Sequence, residues 1–172
     1  MLDLRDLARP VVGAPMAGGA STPALAIAIS EAGGLGFLAG GYKTPEKVAA
    51  EIDAVRAATP APFGLNLFVV EPHEPDPETL SAYRRALEPE AARLGADLGE
   101  PRWDDDQWQA KLDLVLDVRP AVVSFTFGCP GPDVLHRLAE RGVLTAVTVT
   151  SVAEAREAVA RGAASLSVQG PE

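Results

Sequence analysis

Ala121-Val122-Val123-Ser124-Phe125-Thr126-Phe127-Gly128 is the stretch whose reading decides the fold of this chain. A short run rich in β-branched and aromatic residues and closed by a glycine reads as one strand. Side chains alternate across a strand, so Val122, Ser124 and Thr126 share one face and Val123, Phe125 and Phe127 the other. One face is small or polar and the other apolar. A strand held between two helix layers is apolar on both faces. A barrel strand turns its apolar face to the helices and its polar face to a ligand-bearing interior. The same division separates Gly64 and Asn66 from Leu65 and Leu67, and Ser165, Ser167 and Gln169 from Leu166 and Val168. Of the two architectures that parallel strands allow, an open doubly wound sheet and a closed barrel, these faces favour the barrel.

Working outward, further runs of this kind recur in order. They are Val11 to Met16, Leu35 to Ala39, Phe63 to Val70, Ala121 to Phe127, Leu144 to Val149 and Ser165 to Gln169. The segments between them have helical period. Thr22-Pro23 and Thr44-Pro45 each set a capping hydroxyl before a proline at the first helical position. Ser151-Val152-Ala153-Glu154 has capping-box spacing. Gly142 and Gly162 stand where a helix ends in a left-handed turn. Strand and helix in strict alternation give parallel strands with right-handed crossovers. The expectation is an α/β fold of (βα)n barrel type with six of the eight strands of a complete barrel.

One step is longer than the rest. Between the third and fourth runs lies an insertion at 71–102, acidic and proline-rich at its start, then helical from Glu78 to Gly95 with an interruption at Pro89. A further helix from about Asp104 to Val118 returns to the core. Such an insertion serves as a lid or interface element, or stands as a solvated decoration.

Composition removes several function classes. The chain has 172 residues, 15 basic against 24 acidic, and a net charge of −9. A groove that grips a phosphate backbone needs clustered Lys and Arg, so nucleic-acid binding is not expected. An anionic membrane surface is disfavoured for the same reason. No run reaches the roughly 18 apolar residues of a membrane span, and the start, Met1-Leu2-Asp3-Leu4-Arg5-Asp6, lacks the pattern of a secretory signal. Cys129 is the only cysteine, which leaves no internal disulfide. A cytoplasmic location is the simplest expectation.

The active site of a parallel barrel is built at the carboxyl ends of its strands. Here those ends read Ala14-Pro15-Met16-Ala17-Gly18-Gly19, Ala39-Gly40-Gly41, Asn66-Leu67-Phe68, Phe125-Thr126-Phe127-Gly128, Thr148-Val149-Thr150 and Gln169-Gly170. Glycine and small residues gather there. Each single glycine is explained by a tight turn, but the whole set suits a flat cofactor lying across the mouth.

These stretches resemble the nitronate monooxygenases, formerly called 2-nitropropane dioxygenases. The likeness runs in order along nearly the whole chain. It starts at Val12-Gly13-Ala14-Pro15-Met16-Ala17-Gly18-Gly19 with Ser21-Thr22-Pro23, then takes in Ala32-Gly33-Gly34-Leu35-Gly36-Phe37-Leu38 and Gly64-Leu65-Asn66-Leu67-Phe68. It continues through Ser124-Phe125-Thr126-Phe127-Gly128, Thr148-Val149-Thr150-Ser151 and Val168-Gln169-Gly170-Pro171-Glu172. The resemblance implies a TIM-barrel flavoprotein that binds FMN without a covalent link and oxidises alkyl nitronates with O₂ to a carbonyl compound and nitrite. It assigns the flavin ring contact to Ala14, Pro15 and Met16, hydrogen bonds to the flavin to Asn66 and Gln169, and the start of the phosphate-side loop to Gly170. A thioether suits an aromatic ring system, and a carboxamide can both donate and accept at its polar edge.

The catalytic histidine that the resemblance implies falls beyond Glu172, so no residue of this chain is expected as the catalytic base. His73, in the Pro-rich start of the insertion, and His136, on a helix, read as surface residues. Cys129 is a nucleophile only if a base stands beside it, and the sequence offers none, so an inert thiol is expected. Asp104, Asp105 and Asp106 read as helix-start acids rather than metal ligands. Domain organisation is expected to be one incomplete FMN-binding barrel over 1–172, with 71–102 inserted in it. Its two outer strands would be open edges, which recruit partner strands, so self-association is expected. Two other readings remain on these residues. One is a flavin-dependent enoyl reductase of the same barrel family. The other is a truncated, non-catalytic remnant or interaction module.

Overall fold

A computed structural model describes residues 2–70 and 75–170. It divides into two compact units, one of residues 1–70 with 106–172 and one of residues 71–105. The larger unit contains five parallel strands: β1 (Gly36–Ala39), β2 (Phe63–Phe68), β3 (Val122–Thr126), β4 (Leu144–Val149) and β5 (Ser165–Val168). Their order in the sheet is their order in the chain. A doubly wound sheet reverses direction at a switch point; this one does not, and the wall it forms is of TIM-barrel type.

Helices α1 (Pro23–Glu31), α2 (Pro45–Ala58), α4 (Trp108–Val118), α5 (Pro132–Glu140) and α6 (Val152–Arg161) belong to this unit. Their starts follow local chemistry. Thr22 and Thr44 accept the N–H groups of Leu25 and Lys47, and Ser151 accepts that of Glu154. Glu154 reaches back to the N–H of Thr150 at 2.6 Å, one residue earlier than the capping box predicts. That bond and the Thr150 hydroxyl hold the Glu154 carboxyl below the usual carboxylate range.

Two clusters divide the sheet by face, as the alternation predicts. Leu38, Leu65, Leu67, Val123, Phe125, Val147 and Val149 pack with the helices in the main core. Leu35, Phe37, Val122, Leu144 and Ala146 form a second cluster, against which Leu2, Leu4 and Leu7 pack. The second cluster lies on the inner face, so the N-terminal segment, with a short 3-10 helix at Leu4–Asp6, floors it near the amino ends of the strands.

The run Val11 to Met16 does not form a full strand. It makes a single parallel bridge, Val12 to Leu35, with the N–H of Gly13 donating to Leu35 O and that of Leu35 to Val11 O. The expected six strands are therefore five strands and a bridge. Pro10 and Pro15 carry no N–H for a longer ladder.

In the smaller unit, α3 (Pro77–Leu94) is capped by Asp76, which accepts from the N–H and hydroxyl of Thr79. It runs through Pro89 rather than breaking there. None of its described residues is buried, so water can bond the backbone carbonyl that the proline leaves unpaired. Arg84 and Glu100 pair at 3.2 Å within the same unit. No helix among the described residues is long and apolar enough to cross a membrane.

Candidate functional site at the strand carboxyl ends

Asn66 lies near the end of β2, opposite Ser124 in the register and 3% exposed. Its Nδ2 donates to Ser124 O at 3.3 Å, to Ser124 Oγ at 2.9 Å and to Thr126 Oγ1 at 2.9 Å. The main-chain carbonyl, an acceptor only, fixes which side of the amide carries nitrogen. Oδ1 is left without a protein partner among the described residues, and is the atom free to accept from a ligand. Ser124 and Thr126 complete this arrangement, because residues two apart on β3 share the face that Asn66 occupies.

A second clasp shapes the rim. The buried hydroxyl of Ser21 accepts the N–H of Met16 at 2.8 Å and donates to Ala14 O at 3.4 Å. It closes the turn that follows the bridged segment, and Gly18 and Gly19 take that turn at φ of 87° and 118°. Space is open where a Cβ would stand at either glycine. Met16 is left 44% exposed. Ala14 and Pro15 line a concavity of about 320 Å³ on the inner face, with Phe37, Ser124, Thr148 and Ser167.

Gln169 follows β5. Its N–H donates to Val149 O at 3.0 Å and its side chain is exposed, as is Gly170. β2 and β5 stand three positions apart, on the order of 14 Å along a sheet whose strands are about 4.8 Å apart. The structure thus gathers Asn66 with Ser124 and Thr126, and Ala14, Pro15 and Met16 with Ser21. It does not bring Gln169 into contact with Asn66, so the two amides would meet different parts of any one ligand.

The alternation sets Phe127 on the helix-facing side of its strand, but β3 ends at Thr126 and Phe127 turns out into a cluster of three rings at the mouth. Tyr42, past β1, stacks edge-on against Phe68 at the end of β2, with ring centroids 5.2 Å apart. Phe68 meets Phe127, past β3, at 4.9 Å. The Phe68 ring lies over Gly41, where a Cβ would come within 2.2 Å of it. Only the glycine pair before Tyr42 hints at this close approach.

The acids 104–106 do not begin a helix. α4 starts at Trp108, after Asp106 and Gln107 in left-handed backbone, and its N-cap residue Gln107 makes no side-chain cap hydrogen bond. Asp106 Oδ1 instead accepts the N–H of Tyr42 at 3.0 Å and lies 2.8 Å from Lys111 Nζ. Lys111 is 1% exposed. A buried ammonium holds a fixed place only with such a partner. No group of three His, Cys, Asp or Glu that could hold a metal occurs among the described residues.

His136 is exposed on α5 and 3.3 Å from Glu140, a surface pair one helical turn apart. His73 lies outside the described residues. Cys129 is half-buried, and burial pushes its thiol above the ordinary value despite the nearby Arg161. A raised thiol pKa means less thiolate at neutral pH. Iodoacetamide should therefore modify Cys129 more slowly at pH 7.5 than it modifies free cysteine, with the rate climbing as pH rises past the free-thiol value. Mass-resolved labelling checks this; a rate above that of free cysteine would contradict it.

The family model described as nitronate monooxygenase matches residues 3–172. The chain belongs to the nitronate monooxygenase family. It is 38% identical to nitronate monooxygenase of Pseudomonas aeruginosa, over 98% of this chain and 49% of that protein. Among solved structures, nitroalkane oxidase from Streptomyces ansochromogenes superposes with a TM-score of 0.91 at 46% identity, covering 96% of this chain and 48% of the other. FabK (M276A) from Thermotoga maritima follows at 0.68 and 28%, over 95% and 43%. The chain spans about half the length of the relatives it matches. Family membership gives the strand-end residues their context.

Proposed function

We propose that this chain forms the flavin-seating part of a nitronate monooxygenase, which oxidises alkyl nitronates with O₂ to a carbonyl compound and nitrite. The observation that carries the reading is the Asn66 amide. It is buried and held by three bonds through its nitrogen, and its oxygen is free at the end of a barrel strand. An amide so fixed is a pre-set acceptor for a ring N–H, and its fixing removes the entropy cost of orienting it on binding.

The other residues fit FMN as well. Ala14, Pro15 and Met16 offer an apolar rim for a flat ring, and Ser21 holds their backbone in place. The open space at Gly18, Gly19 and Gly170 leaves room for close backbone approach. Gln169, across the sheet from Asn66, would meet a more distant part of the cofactor. When bound, FMN supplies the electron transfer to oxygen that side chains cannot perform. The chain's own residues place the ring, shield one side with the rim, and leave the inner-face concavity beside it. Among the described residues no histidine stands at this mouth.

The test is nitrite release from an alkyl nitronate by the purified protein, followed with oxygen uptake. A yellow protein that forms nitrite in air, and stops under argon, is the expected result. A colourless protein that gains no activity from added FMN would overturn the reading. Turnover that needs a nicotinamide and no oxygen would replace it with the reductase.

A further inference from the structure

Helix α3 of the smaller unit carries an apolar stripe. At about 100° per residue, Leu80, Tyr83, Leu87, Ala91 and Leu94 fall within about 80° of one another around the helix. Leu80, Leu87 and Ala91 are half-buried, but Tyr83 and Leu94 are each 63% exposed. Arg85 and Pro89 stand on the opposite side. The carbonyl that the proline frees therefore faces water and not the stripe.

An exposed stripe is a poor support for this helix. A helix in a protein draws most of its stability from packing an apolar face. Pro89 also removes one of its backbone bonds. α3 nonetheless runs for 18 residues. What it lacks is a surface that takes Tyr83, Leu87 and Leu94 out of water together.

The charges along α3 point to the matching surface. The start is acidic, with Asp76 at the cap and Glu78 in the first turn, and the last turn is basic at Arg93. Arg93 Nε donates to Glu90 at 2.9 Å, which holds both side chains beside the stripe. A second α3 laid antiparallel, with full overlap, puts the start of one helix beside the end of the other. Arg93 of each copy then stands level with Glu78 of the other, and Tyr83 comes within one turn of Glu90. One two-fold axis makes every such contact twice, and the helix dipoles oppose. A parallel pair would instead set Glu78 against Glu78 and Arg93 against Arg93.

We propose that the stripe on α3 docks a second copy of this chain, the two α3 helices packing antiparallel about a two-fold axis. The contact is separate from the sheet edges and independent of the functional reading.

Sedimentation velocity of the protein at about 1 and about 100 μM tests it, a range that brackets an interface as small as one helix pair. The apparent mass is expected to climb from one chain, 17.9 kDa, toward two. Leu87→Glu puts a charge in the middle of the stripe and should hold the protein at one chain throughout. The charged ends give a readout that loss of helix does not mimic. Glu78→Arg alone, or Arg93→Glu alone, sets like charges across the axis and should weaken association about tenfold. An equal mixture of those two variants sets opposite charges across it and should regain the native affinity. A native protein that stays at one chain assigns the stripe to another occupant and overturns the proposal. A mixture that associates no better than its two parents overturns it as well. So does a dimer kept in Leu87→Glu but lost in Val168→Lys, which would place the contact on the edge strand β5.

Discussion

Gly36→Ala is expected to lower stability by about 3 kcal/mol, near the upper end for overpacking a core site. Gly36 opens β1, and a Cβ built there would stand 2.1 Å from Ala26 O and 2.6 Å from Ala26 Cα. These are backbone atoms of α1, so no side-chain rotation relieves the clash. Nor can the helix drift away. Ser30 on α1 accepts the N–H of Gly36 at 3.0 Å and donates to Pro62 O at 2.8 Å, which ties the helix to both β1 and the entry of β2. Against a total stability of about 5–15 kcal/mol, this is a large fraction. Urea unfolding checks it through a lower midpoint at unchanged slope. A midpoint within experimental error of the native one would show that α1 and β1 are not packed as described.

Asn66→Leu is expected to weaken FMN binding by about tenfold to a hundredfold. The substitution removes an acceptor from the ligand and, at the same time, the amide nitrogen that the Ser124 and Thr126 oxygens share. A hydrogen bond lost from a ligand, with buried partners left unmet, costs about 1.5–3 kcal/mol. Leucine keeps the volume, so the fold should survive with a modest loss. Flavin fluorescence, titrated against native and variant proteins, reads the change. An unchanged Kd in a folded variant would move the flavin away from β2.

Much of this could be read from the chain. β2, β3 and β5 were legible because each is a short apolar run with one small or polar face. Asn66 stood out as an amide within such a run. The first run was over-read as a strand because its Val and Met content suits one, while Pro10 and Pro15 limit it to one bridge. The start of α4 was misplaced for a different reason. Asp104, Asp105 and Asp106 look like first-turn acids, but Asp106 is claimed by Tyr42, 64 residues before it, and by Lys111, five residues after it. Contacts that distant leave no local trace. The ring stack was hidden for the same reason, since its three members come from three separate strand ends.

On the proposed function, the strand carboxyl ends of this chain seat the flavin. A crystal structure of the protein saturated with FMN tests it most directly. The isoalloxazine ring is expected over the inner-face mouth, with an N–H of the ring within hydrogen-bond distance of Asn66 Oδ1 and with Met16 against the ring. Electron density for the flavin anywhere else on the protein, with Asn66 Oδ1 still unpartnered, would contradict it.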